Sequence, residues 1–105
     1  MVYLEAIAVA IYQHAEKRPA GTKYFDLDAE WYRGYALLAL AKGEAVTPQD
    51  IHDAWVAGTI RALGAEGATV HPYCVPFPDL PEEVQGWDVV YAETIQALCR
   101  IAALL

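Results

Sequence analysis

Residues 71–88 read HPYCVPFPDLPEEVQGWD. Pro72, Pro76, Pro78 and Pro81 each fix φ and withhold a backbone N–H, which closes both helix interiors and central strands to this run. A flexible linker would be rich in Gly and Ser. Here apolar Val75, Phe77 and Leu80 sit between the prolines instead. A segment with few conformations loses less entropy on folding. The run therefore predicts an ordered, extended path whose apolar pegs bury between helices and clamp the following helix onto the rest.

Outward from this segment the chain reads as helices. Downstream, the apolar run Val89 to Leu105 predicts a last helix with Asp88 as its cap. Val90 or Tyr91, Ile95, Leu98 and Ala102 supply its buried face. Upstream, Thr47-Pro48-Gln49-Asp50 places an N-cap, a proline at the first helical position and a carboxylate three residues after the cap. Ile51 and Trp55 lie along one side of that helix, and Gly64 and Gly67 close it. Ala68-Thr69-Val70 is the one run with a strand-like look. A first helix covers Val2 to about Lys17, stopped by Pro19. A second starts at Asp28, carries Trp31, Tyr32, Tyr35 and Leu38, and ends at Gly43. The expected fold is all-α: four main helices plus a short helical turn, in one domain spanning residues 1–105.

Composition limits function. Fourteen acidic residues against seven basic ones give a net charge of −7, which disfavours nucleic-acid polymers and anionic membranes. One small anion remains compatible with a single well-placed Arg. Cys74 and Cys99 form no CxxC pair and stand in no metal-ligand spacing, so we expect no metal site, no cofactor and a reduced, cytoplasmic protein. The opening MVYLEAIAVAIYQHAEK lacks a basic n-region and is broken by polar residues, which reads as a buried helix rather than a leader or a membrane span. No nucleophile–base order, phosphate loop or paired-His motif is visible, so no catalytic residue is assigned and an enzyme is not expected. Seven Tyr and three Trp against two Phe favour rings that can also contact a ligand or a partner.

His52 and Trp55, three apart, share one helix face. They make either a stacking platform with a polar hook, or a buried Trp beside a His that bonds a backbone carbonyl. His52-Asp53-Ala54-Trp55, then His71-Pro72, then Val75-Pro76-Phe77, Leu80-Pro81-Glu82-Glu83-Val84 and Trp87-Asp88 follow an order that resembles the ryanodine-receptor repeat domain. Trp31-Tyr32-Arg33 fits the Trp-x-Arg helix of the small phage and prokaryotic members. The chain departs from that pattern between Trp55 and His71, where RALGAEGA replaces a longer hairpin.

The resemblance implies a non-enzymatic protein of phage or prophage origin. It would bind or sequester a nucleotide-derived immune signal, such as a cyclic nucleotide or an ADP-ribose derivative, as an anti-defence sponge. The ligand would be held by stacking and at least one Arg, with Trp31, Arg33, His52, Trp55, Arg61, His71 and Tyr73 as binding residues. The surface around Lys23, Tyr24 and Arg100 is the second choice. The alternative function is a protein–protein assembly module with no small ligand. The first and last helices are apolar over more than one stripe, which predicts a homo-oligomer, a dimer first.

Overall fold

Thr47 opens the best-defined helix of the computed structural model, which describes the backbone of residues 2–104 and the side chains of residues 3–101. The Asp50 N–H donates to Thr47 Oγ1 at 3.2 Å, and the Thr47 N–H donates to Asp50 Oδ2 at 2.9 Å. Asp thus completes the reciprocal box that Glu or Gln usually supplies. Lys42 bonds the other carboxylate oxygen at 2.7 Å and, as the largest influence, lowers the Asp50 pKa. Thr47→Ala is expected to lower stability by about 1 kcal/mol, read as a lower urea midpoint at unchanged m-value.

Four helices follow in order: α1 (Val2–Ala15), α2 (Ala29–Lys42), α3 (Pro48–Val70) and α4 (Glu82–Leu104). Short 3-10 turns lie at Asp26–Asp28, Gly43–Ala45 and Phe77–Asp79. The fold is all-α, and no strand occurs among the described residues. Ala68-Thr69-Val70 is helical: α3 breaks at Gly64, whose φ of 79° only glycine adopts without strain, and then resumes as far as Val70. Among the described residues, no helix is long and apolar enough to cross a membrane.

The core sits where α2 meets α1, α3 and α4. Ile11, Ile51, Ile95 and Val46 are fully buried, each worth roughly 1.5–3 kcal/mol of apolar transfer. Tyr24 stacks on Tyr32 with ring centres 5.0 Å apart, and Tyr12 meets both edge-on. Small residues allow close helix approach. At Gly58 an added Cβ would lie 3.0 Å from Trp31 Cδ1 and 3.4 Å from the Glu30 carbonyl, so α3 passes directly against α2 there.

The proline segment departs from the extended path expected of it: it turns after His71 and forms the 3-10 helix Phe77–Asp79, and polar clamps hold it alongside the apolar pegs. Leu80 is buried, whereas Val75 and Phe77 are half-buried. The Gln85 side-chain amide on α4 donates to the carbonyls of Phe77 at 3.2 Å and Leu80 at 3.1 Å. His52 on α3 bonds the Val75 carbonyl at 2.5 Å. Both neighbouring helices therefore satisfy the carbonyls that the prolines leave without a regular ladder.

One boundary differs in a way that matters for the site. α4 begins at Glu82 rather than after Asp88. Pro81 and the carboxylates of Glu82 and Glu83 make the stronger start, because anionic side chains suit the positive end of the helix dipole. Asp88 is consequently not a cap. It lies in the second turn and faces inward, 8% exposed. Of the stripe expected on α4, Ile95 is buried, Tyr91 and Leu98 are half-buried and Val90 is exposed; the Ala102 side chain lies outside the described residues.

Candidate functional site

On α4, Val84, Trp87, Asp88 and Tyr91 fall at i, i+3, i+4 and i+7, a single helical face. On α2, Trp31 and Tyr35 are one turn apart with Tyr32 beside them, and on α3 His52 and Trp55 share a face. These faces converge, with Tyr73 and Asp28 at the edges, around a cavity of about 380 Å³. All three tryptophans of the chain line it.

Hydrogen bonds fix the walls. Trp31 Nε1–H donates to Thr59 Oγ1 at 3.1 Å, and the fully buried Thr59 hydroxyl donates to the Trp55 carbonyl at 2.9 Å. Trp31 is thereby tied to the turn that carries Trp55. Trp55 is flanked by His52, near-parallel at 5.9 Å, and by His71, edge-on at 5.0 Å. The Tyr73 N–H donates to His71 Nδ1 at 3.1 Å, and Tyr73 meets Trp87 edge-on at 6.1 Å. On the far side, the Tyr32 and Tyr91 hydroxyls are 2.9 Å apart, and both donate to Glu16 Oε1. Burial pushes the Tyr32 phenol up to about 12. Burial, followed by the bond to Glu16, raises Tyr91 further, and burial beside the Asp88 carboxylate raises Tyr35. Each ring stays a neutral phenol at neutral pH.

Asp88 is the anomaly in this wall. Its Oδ2 is buried and has no hydrogen-bond partner among the described residues. His52 Nδ1 lies 3.7 Å from it. Because the Val75 carbonyl can only accept, His52 Nε2 must carry a proton. In neutral His52 the bare Nδ1 then faces the carboxylate, acceptor against acceptor. Burial pushes Asp88 up to about 6, and His52 pulls in the opposite direction.

Of the residues singled out from sequence, Trp31, His52, Trp55 and Tyr73 are brought together on the cavity. His71 stands behind Trp55 and Tyr73 and supports both. For His52 the carbonyl-bonding alternative holds, and the ring lines the cavity as well. Arg33 and Arg61 lie elsewhere. Arg33 pairs with Glu5 at 3.0 Å, and Arg61 with Glu30 at 2.8 Å, on the outer surface. Lys23 also pairs with Glu5, at 3.0 Å, and lies over the Tyr24 ring at 5.4 Å, while Arg100 pairs with Glu44 at 2.8 Å. Tyr24, Lys23 and Arg33 together hold the Glu5 carboxyl down to about 2. Sequence reasoning missed Tyr32, Tyr35, Trp87, Asp88 and Tyr91. The 84-87-88-91 spacing is the signal that marks the last three. No cluster of three or more metal-ligating side chains occurs among the described residues.

A family model described as a domain of unknown function, DUF7701, matches residues 2–100. No curated protein and no solved structure matches the chain. The family match overturns the resemblance to the ryanodine-receptor repeat. The longest run of that similarity, Val75 to Val84 with Trp87-Asp88 after it, has a physical origin that is general. Prolines hold an extended approach, and carboxylates suit the first helical turn, in any chain that feeds an apolar segment into a helix.

Proposed function

We propose that this chain, which belongs to the DUF7701 family, is a non-enzymatic domain that binds a small ligand in the cavity between α2, α3 and α4. One observation carries the reading: a cavity of about 380 Å³ walled by three tryptophans and several tyrosines, with one buried carboxylate oxygen, Asp88 Oδ2, left without a donor. Ligand pockets commonly hold roughly 300–1,000 Å³ and combine apolar or aromatic walls with a few convergent polar groups. The absence of a nucleophile–base motif in the sequence supports binding without turnover. A nucleotide-derived immune signal, and with it a phage sponge, gains no support from the cavity, since among the described residues no Arg or Lys lines it.

The second reading is a protein-interaction or homodimer module. The exposed Val89, Val90 and Ile101 on α4 favour it. A thermal-shift screen of metabolites, with nucleotides and biogenic amines among them, separates the two. At a hundredfold excess over Kd a ligand adds about 2.7 kcal/mol, which raises Tm clearly. A screen in which no compound moves Tm, paired with a concentration-dependent Tm for the protein alone, selects the interaction module.

A further inference from the structure

We infer that the ligand of this cavity is an organic ammonium cation, seated against Asp88 among the faces of the surrounding rings; the inference rests on the small-ligand reading above.

Charge is the first argument. Two carboxylates, Asp28 and Asp88, line the cavity, and its one basic side chain is His52. Every Arg or Lys proposed for the ligand is paired on the outside, Arg33 with Glu5 and Arg61 with Glu30. An anion entering the cavity would meet acidic side chains with no guanidinium or ammonium to receive it. The chain's net charge of −7 adds a long-range field of the same sign.

The walls are the second argument. The negative faces of Trp, Tyr and Phe rings attract cations, and several rings around one space form the usual receptor for an alkylammonium group. Trp31, Trp55 and Trp87 stand on three different elements around this space, with Tyr35, Tyr73 and Tyr91 between them. A neutral ligand would use the apolar area of these rings and bring no charge to answer the carboxylates.

The third argument is the unanswered group itself. Asp88 is 8% exposed, yet its Oδ2 has no donor, and its neighbour His52 spends its fixed proton on the Val75 carbonyl. A buried carboxylate oxygen without a partner is costly. A cation bound beside it supplies the missing charge, so the same group that weakens the unliganded fold selects the ligand.

The test compares choline with its uncharged carbon analogue, 3,3-dimethylbutan-1-ol, and with AMP, read through tryptophan fluorescence. Trp31, Trp55 and Trp87 are the only tryptophans of the chain and all line the cavity, so the signal reports on this site. Choline should bind at least about tenfold more tightly than the alcohol, and AMP should not compete. Asp88→Asn should remove the preference for choline. Trp87→Leu, a change at a half-exposed ring that the core does not need, should weaken choline several-fold while Tm holds. Equal affinity for choline and the alcohol, or tighter binding of AMP, overturns the cation inference and leaves the small-ligand reading standing. No response to any of the three at millimolar concentration also overturns it, and the metabolite screen then decides the small-ligand reading separately.

Discussion

Replacing His52 with alanine is expected to cost about 3 kcal/mol of stability, from the cavity left behind and from the carbonyl left unpaired. His52 is 2% exposed and serves three neighbours at once. It donates to the Val75 carbonyl, lies near-parallel to Trp55, and faces Asp88. Its loss orphans the carbonyl, loosens the Trp55 wall and removes the ring that faces Asp88. For a domain of this size the Tm should fall by roughly 12 °C or more. Hydrogen exchange should locate the damage, with amides between Tyr73 and Leu80 losing protection before those of α1. A Tm within a few degrees of the parent would mean that the clamp from α3 to the proline segment is not an anchor.

Asp88→Asn alone is expected to stabilise the protein. The Asp88 carboxyl is pushed from its ordinary value of 3.8 up to about 6, first by burial, with His52 opposing. The folded state therefore holds this proton more tightly than the unfolded state. Between about pH 4 and pH 6 the folded form carries more protons, and the contribution of Asp88 to stability falls as pH rises through that window. Above it the full penalty remains. The raw shift corresponds to nearly 3 kcal/mol, and screening through the open side of the cavity reduces it to about 1–2 kcal/mol at pH 7. Tm should rise by roughly 5–10 °C at neutral pH and by little at pH 4. The groups around Asp88 do not reverse this sign. Tyr32 and Tyr35 on α2 and Tyr91 on α4 remain neutral phenols, and Asp28 adds negative charge; His52 on α3 is the only group that opposes it. Glu5 works in the opposite direction on α1. Its carboxyl is held down to about 2 by Tyr24, Lys23 and Arg33, so its contribution is present above about 4.5 and is lost as pH falls toward 2. Equal melting of parent and Asn variant across pH 4 to 7 would contradict the buried-charge account.

Local signals carried most of the fold. Thr47-Pro48 and the four prolines after His71 act through φ restriction and capping within a few residues, so they can be read without a partner. Asp88 shows the limit. An Asp before an apolar run has the same local appearance whether it caps a helix or points into the interior, and Glu82-Glu83 after Pro81 is an equally good start signal. The site shows the same division. Trp31, His52, Trp55 and Tyr73 stood out as residue types in helical register, and they converge. Arg33 and Arg61 did not follow. A cation's destination depends on which carboxylate the fold brings to it, and Glu5 lies 28 residues from Arg33 and Glu30 lies 31 from Arg61. The acidic character of the cavity became legible only with those pairings known.

The central claim is that the space between α2, α3 and α4 is a binding site. The most direct measurement is a two-dimensional ¹H–¹⁵N spectrum of the labelled protein, titrated with choline or with the best compound from the metabolite screen. The three indole N–H signals belong to Trp31, Trp55 and Trp87, all on the cavity. The account predicts that these three move together with the amides of His52, Tyr73 and Asp88, while Glu5, Val9 and Gln13 on the outer face of α1, where a shallower groove lies, stay fixed. Shifts confined to that α1 face, with the three indoles unmoved, would contradict it.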